Sequence, residues 1–327
     1  MTVNSVAERL YYDANDLEFR ARVTDIRLDS HAVAESGQKE QLWQIALDRT
    51  VFYPEGGGQP WDTGVLVATA RSGALLEVTV ERVAEDEAGE VWHFVRKPLP
   101  EGTEVVGRVD ADRRMDHAQQ HTGQHLLSAV FLSELVARTV SFHLSPLRNG
   151  TETVTIDLAL ADGAERFSEE ELRRVEAIVN RLIYEDRAVR PTWVSREDAE
   201  AMLDRGDLRK LPERTGSMRI VEIAGVEFNA CGGTHVSSTG AIGGLLVRRV
   251  EKVKQGWRIE FCCGLRAVRT AREDFLRMNE VARLLSVGAP DVIARIEGLI
   301  EKNKAAAKEQ KTLLRELSQA NAAKLER

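Results

Sequence analysis

The chain has 327 residues, of which 43% are hydrophobic and 30% charged, and it carries a net charge of −7. That length and mixture fit two soluble domains with room for an appendage, and they exclude a protein coated in positive charge. No apolar run approaches the ~18 residues that a membrane span needs.

The first residues, Met1-Thr2-Val3-Asn4-Ser5, show no basic start followed by an apolar core, so no signal peptide is expected. Three cysteines, two of them adjacent (Cys262 and Cys263), make no disulfide framework. A reducing, cytoplasmic setting is therefore expected. A negative chain can still bind nucleic acid through a local basic patch. Arg113, Arg114, Arg248, Arg249, Lys252 and Lys254 are the candidates, although each also reads as an ordinary solvated charge.

Residues 1–105 read as β structure. Short alternating segments at Ala21–Ile26, Trp43–Leu47, Leu76–Val83 and Val91–Val95 are separated by Gly, Asp and Ser turns, which predicts a small barrel or sandwich. Within it lies Thr50-Val51-Phe52-Tyr53-Pro54-Glu55-Gly56-Gly57-Gly58-Gln59-Pro60. Three consecutive glycines allow positive φ and close approach of a ligand to the backbone. The run lacks the Lys-Ser/Thr end of a P-loop and does not fit G-x-G-x-x-G, so a nucleoside triphosphate site is not expected.

A domain boundary is expected between Glu101 and Asp112, with Asp110 or Asp112 capping a helix from about Arg113 to Val136. This helix carries His121-Thr122-Gly123-Gln124-His125. Histidines four apart share a helix face, so two imidazoles can reach one metal ion. The pair is not a protease motif, because Thr122 stands where H-E-x-x-H needs a glutamate base. His117 extends the stripe and is expected either to support a ligand or to lie on the surface. Strands at Thr139–Leu144 and Thr151–Leu158, a helix opened by the Ser168–Glu171 capping box, and a helix near Arg196–Asp204 follow. Strands at Met218–Ile223, Gly244–Val250 and Trp257–Phe261 complete an α+β domain over residues 106–270. Cys231-Gly232-Gly233-Thr234-His235 falls in a loop there. With His121 and His125 it offers imidazoles and a thiolate, a set that suits Zn²⁺. Residues 271–327 form a helical tail with a weak heptad from Ile293 to Asn321, readable as a coiled-coil arm, a contact between two copies or a packed helix.

Three segments, Phe52 to Pro60, His121 to Leu127 and Cys231 to His235, together resemble the editing domain of alanyl-tRNA synthetase. With no synthetase catalytic domain ahead of them, the chain resembles a free-standing alanyl-tRNA editing protein of the AlaX type, over residues of about 20 to 270. Editing domains of threonyl-tRNA synthetase share the His and Cys/His pairs; the Gly-rich segment favours the alanine group. The C-terminal globular domain of that family has no counterpart here, so the chain reads as a fragment or a short-tailed member.

The resemblance implies hydrolysis of serine, and of glycine, from mischarged tRNA(Ala), with zinc on His121, His125, Cys231 and His235. It points to Thr50, beside the Gly-rich segment, as the group that reads the serine hydroxyl. Gly56, Gly57, Gly58 and Gln59 are the expected substrate-binding residues, and Gln124, His143 and Thr50 the polar groups that line the pocket. Zinc can either activate water or order the site, since four protein ligands usually make a closed centre. Two other readings stay open: a non-catalytic tRNA-binding module with structural zinc, and editing of a threonyl-tRNA type of substrate.

Overall fold

The computed structural model describes residues 6–12, 17–29, 42–70, 72–146, 150–160, 167–211, 216–254 and 256–325. In chain order the first elements are strands β1 (Glu8–Arg9), β2 (Glu18–Asp29), β3 (Leu42–Leu47), β4 (Arg49–Thr50), β5 (Gly64–Thr69), β6 (Leu75–Glu85), β7 (Val91–Val95) and β8 (Glu104–Val109). Six of them close an antiparallel barrel in the order β2-β3-β7-β6-β5-β8. The pleat explains the closure. In β2, Phe19, Ala21 and Val23 point inward while Glu18, Arg20 and Arg22 point out. Phe52, Leu66, Val78, Val80 and Val95 meet them inside.

Two polar side chains, His93 and Thr50, meet in that apolar interior. His93 is fully buried; its Nδ1–H donates to the Ile45 carbonyl at 3.0 Å and its Nε2 accepts from the Thr50 hydroxyl at 2.8 Å. Burial holds the imidazole neutral, with its pKa pushed down to about 4.

Helix α1 (Ala111–Leu135) leaves the barrel with its first turn capped by the Asp110 carboxylate, which accepts from the Arg113 amide at 3.1 Å. Arg114 locks this turn to the chain around the Gly-rich segment. Its guanidinium donates to Asp62 and, at 2.6 Å, to the Val51 carbonyl. Arg114 is thus buried in an ion pair and is not a phosphate contact. His117, expected to support a ligand or to lie on the surface, is wholly buried, and among the described residues neither of its ring nitrogens has a hydrogen-bond partner. The stripe of apolar and polar residues on α1 could not reveal this, because the helix is covered on nearly every side through its middle.

Strands β9 (Arg138–Leu144) and β10 (Val154–Ala159), helix α2 (Glu169–Tyr184), strand β11 (Val189–Val194), helix α3 (Arg196–Asp204), and strands β12 (Met218–Ile223), β13 (Glu227–Ala230), β14 (Leu245–Val253) and β15 (Gly256–Cys263) follow. They make two antiparallel sheets, β14-β15-β10-β9 and β11-β12-β13. Leu126, Leu127, Val130 and Phe131 of α1 share one core with Ile156, Val175, Val179, Ile259 and Phe261. Gly123 is required within this core, because a Cβ there would lie 2.3 Å from the Cys263 sulfur. The Ser168 capping box at the start of α2 is present in both directions. The expected α+β class, with an N-terminal barrel and a helical C-terminal part, is what the structure shows.

Residues Met1–Ala267 form one compact unit and Val268–Arg327 a second. The second holds most of α4 (Gly264–Leu285) and the single helix α5 (Val292–Leu325), on which Ile293, Ile296, Ile300, Leu314 and Leu317 are open to solvent. No described helix is long and apolar enough to cross a membrane.

His93 should make stability depend on pH. Its folded pKa, near 4, lies below the unfolded value of about 6.5, so the unfolded chain takes up the proton first. Its contribution is complete above pH ~6.5 and declines as pH falls towards ~4, by about 3 kcal/mol in all. Urea midpoints of the wild type and of His93→Gln, measured from pH 7.5 to 4.5, should converge as pH falls; parallel curves would contradict this.

Candidate metal centre and adjoining cleft

His121 and His125 project from one face of α1, and Cys231 and His235 come from the loop that follows β13. One ligand atom from each of the four lies within 4.8 Å of all the others. The Cys231 sulfur is 3.3 Å from His121 Nε2 and 3.4 Å from His235 Nε2. A tetrahedral Zn²⁺ with its usual bond lengths sets sulfur and nitrogen about 3.5 Å apart. The donor set and its spacing therefore fit such an ion.

Each imidazole is oriented by a separate partner on its other nitrogen. His121 Nδ1 donates to the Gln59 carboxamide at 2.8 Å. His125 Nδ1 meets the Glu227 carboxylate at 3.2 Å, and Glu227 in turn accepts from Arg209 at 2.6 Å. His235 Nδ1 meets the Thr122 hydroxyl at 3.2 Å. With Nδ1 engaged in all three, Nε2 is the nitrogen left for a ligand, which is how metal-binding histidines are commonly held. Phe142 covers the outer side of His121, with ring centroids 5.1 Å apart.

The loop is held as firmly as the helix. Arg219 donates to the Cys231 and Gly233 carbonyls and to the Tyr12 carbonyl, each at 2.9 Å. Gln59 adds two bonds to Thr234, accepting from its amide at 3.1 Å and donating to its hydroxyl at 2.9 Å. Gly233 has to be glycine, because a Cβ there would lie 2.1 Å from the His121 ring and 3.0 Å from the Gln59 oxygen.

The electrostatics match the geometry. Burial opposes the Cys231 thiolate, yet the His121 and His235 imidazoles bring the thiol well below its usual range. Burial also opposes charge on His125, but its bonds to Cys231 and Glu227 outweigh this and carry its pKa up to about 10. Burial dominates at His235 and lowers it to about 3. A divalent cation bound here would take the place of the His125 proton and keep the Cys231 thiolate as a ligand.

A cleft of about 380 Å³ opens on this cluster. His121, Cys231 and Gly233 lie on its wall together with Tyr53, Gly56 and Gly57. The Gly-rich segment forms a tight turn in which Gly56 and Gln59 exchange backbone hydrogen bonds and Gly57 and Gly58 have φ of 57° and 83°. Gly58 abuts β9, where a Cβ would meet the Phe142 carbonyl at 2.8 Å.

Of the residues singled out from sequence, the four ligands, Gln59, Gly56 and Gly57 are brought to the centre or its cleft. Four others are not. Gly58 packs against Phe142 of β9 and is not among the residues that line the cleft. Thr50 lies inside the barrel, its hydroxyl shared between His93 and the Phe52 amide. Gln124 is buried with its amide bonded to Ser128. His143 is exposed on β9, on the side opposite Phe142. Conversely, Glu227, Arg219 and the supporting role of Thr122 escaped the sequence reading. The one available signal was an acidic residue, Glu227, opening a short strand that leads straight into Cys231.

Comparisons with known proteins agree with this geometry. Residues 218–260 match the family model described as threonyl and alanyl tRNA synthetase second additional domain, and residues 1–113 match that of class II (A) tRNA synthetases. The alanyl-tRNA editing protein Aarsd1 of Bos taurus is 32% identical over 318 residues, covering 96% of this chain and 67% of that protein. The chain belongs to the alanyl-tRNA editing family. AlaX-L of Pyrococcus horikoshii is 34% identical, with 85% of this chain and 61% of that protein covered. The alanine–tRNA ligase of Pyrococcus abyssi is 35% identical over 94% of this chain, which spans only 31% of that enzyme's length. The 218–260 match includes Cys231 and His235 but neither histidine of α1.

Support from Glu227 gives a measurable expectation. Glu227→Gln preserves size but weakens the hold on His125, and affinity for a titrated divalent metal should fall about 10–100-fold. Gly233→Ala should be at least as damaging, since its methyl displaces His121. Competition with a chelating dye reads both; unchanged affinity in both variants would refute the assigned supports.

Proposed function

We propose that this chain hydrolyses the ester joining serine or glycine to mischarged tRNA(Ala), at a centre that holds one Zn²⁺ ion on His121, His125, Cys231 and His235. The observation that carries the reading is the gathering of four ligand atoms, two of which, on His121 and Cys231, face an open cleft shared with the Gly-rich turn. The substrate class comes from the alanyl-tRNA editing relatives. When bound, the ion would supply a fixed positive charge for the ester carbonyl or for an attacking water.

The protein's own part is preorganisation. Gln59, Glu227 and Thr122 keep the imidazoles aimed before substrate arrives, so little reorganisation is left for the reaction. Gly56 and Gly57 present bare backbone to the cleft, leaving room for a small aminoacyl group. Thr50 supports the strand that enters this turn; its proton is already given to His93. A reducing compartment such as the cytoplasm would keep Cys231 free to bind metal. The open apolar positions of α5 suit association of two copies through the tail.

A second reading, a tRNA-binding module with structural zinc, is favoured by the four protein ligands, which fill a tetrahedral shell. Two measurements separate the readings. Purified protein should release serine from serine-charged tRNA(Ala) faster than alanine from correctly charged tRNA, and contain about one zinc per chain. Cys231→Ala should lower bound zinc and reduce serine release at least tenfold to a hundredfold. Full zinc content with no release of serine would leave only the structural reading. Full zinc content in Cys231→Ala would remove that ligand.

Thr50→Val leaves the His93 Nε2 acceptor buried without its donor. Stability is expected to drop by about 1–3 kcal/mol, with the ratio of serine to alanine release preserved. A changed ratio in a stable, zinc-loaded variant would return Thr50 to substrate recognition.

A further inference from the structure

The cleft has a second wall that the metal centre does not use. Tyr11, Tyr12 and Tyr53 from the barrel side and Trp193 from β11 line it together with His121 and Cys231. The rings form a continuous set: Tyr53 to Tyr11 at 5.4 Å, Tyr11 to Tyr12 at 4.6 Å, and Tyr12 to Trp193 at 5.4 Å with planes 81° apart. Arg219 lies under Tyr12, its guanidinium carbon 5.5 Å from the ring, and fixes the Tyr12 carbonyl. Tyr12 is therefore held on both sides.

Trp193 ends this set and is unlike the other members. It sits on an exposed strand, half of its surface is open, and it meets the protein through the Tyr12 contact. Trp61 donates its indole N–H to the Glu81 carbonyl and Trp92 donates to Asp86; among the described residues the N–H groups of Trp43, Trp193 and Trp257 have no acceptor, and of these three only Trp193 lines the cleft. A large aromatic left open beside a reaction centre gains by covering an apolar face, and a flat heterocycle with polar edges does this best.

We propose that Trp193, backed by Tyr12, is the stacking platform for the 3′-terminal adenine of the aminoacyl-tRNA. The proposal rests on the deacylase reading and names the part of the substrate next to the ester. The aminoacyl carbonyl and the terminal base are joined through a single ribose. A base on Trp193 and a carbonyl at the His121–Cys231 wall would thus occupy one cleft. Its volume, about 380 Å³, falls within the range of roughly 300–1,000 Å³ usual for small-ligand sites. Stacking is indifferent to amino-acid identity, so the platform would bind serine-, glycine- and alanine-charged ends alike and leave discrimination to the Gly-rich side.

The test uses the full zinc-loaded chain and two stable amides in place of the ester. One is 3′-deoxy-3′-(L-serylamino)adenosine; the other is the same compound with hydrogen in place of adenine. Calorimetric titration should give wild-type protein a preference for the adenosine compound of roughly tenfold to a hundredfold. Trp193→Leu should abolish that preference and Trp193→Phe keep part of it, both with unchanged zinc content. Equal affinity of the wild type for both compounds, no binding of either, or a preference that survives in Trp193→Leu would overturn the proposal. The wild-type comparison decides the matter even where Trp193→Leu fails to fold. Serine release from charged tRNA is scored separately. Release without any base preference removes the platform alone, whereas a base preference without release removes the hydrolase reading.

Discussion

The Gln59 carboxamide ties together three stretches of chain that lie far apart in sequence. From the Gly-rich turn of the barrel it accepts from His121 on α1 and from the Thr234 amide, and it donates to the Thr234 hydroxyl. It is 1% exposed, so these bonds form away from competing water. Without it the His121 ring would be free to turn, and the Cys231–His235 loop would lose its register against the barrel. The barrel is therefore part of the centre, although it supplies none of the four candidate ligand atoms.

Charge is arranged around the centre in pairs whose acidic partner is buried. Arg114 faces Asp62, Arg266 donates to Asp116, and Arg209 reaches Glu227 behind His125. Such pairs are weak stabilisers compared with apolar packing, but losing one partner strands a buried charge at a cost of about 3–5 kcal/mol. Their value here is positional. Arg114 fixes where α1 starts, and Arg266 fixes that helix one turn before His121, so the ligand face is set by contacts at its root.

Much of the fold was legible in the sequence, and the reasons differ by element. The barrel strands alternate cleanly, and α2 announces itself with a capping box, so both follow from local pattern. The centre was legible because two short motifs of metal-binding residues stand out in a chain with seven histidines and three cysteines. What local pattern could not show were partners across the fold. Thr50 reads as a pocket hydroxyl until His93, 43 residues away, is seen to take its proton. Arg114 reads as a surface cation until Asp62 is found beneath it. β13 is four residues long and carries no periodicity, yet it delivers Glu227 to His125. Trp193 gave no signal, since a lone tryptophan in a strand looks the same whether it packs inward or borders a cleft.

The spacing of the ligands has a consequence for the protein as it is made. His121 and Cys231 are 110 residues apart in the chain. At a synthesis rate of about 5–20 residues per second, α1 leaves the ribosome roughly 6–22 s before its sulfur partner exists. During that interval its histidines can neither close the centre nor cover their polar face. A newly made chain thus passes through a stage at which two imidazoles, four residues apart on a nascent helix, form an open and incomplete chelate. Any divalent ion that met it there would be held by two imidazoles alone, until the thiolate and the third imidazole arrive.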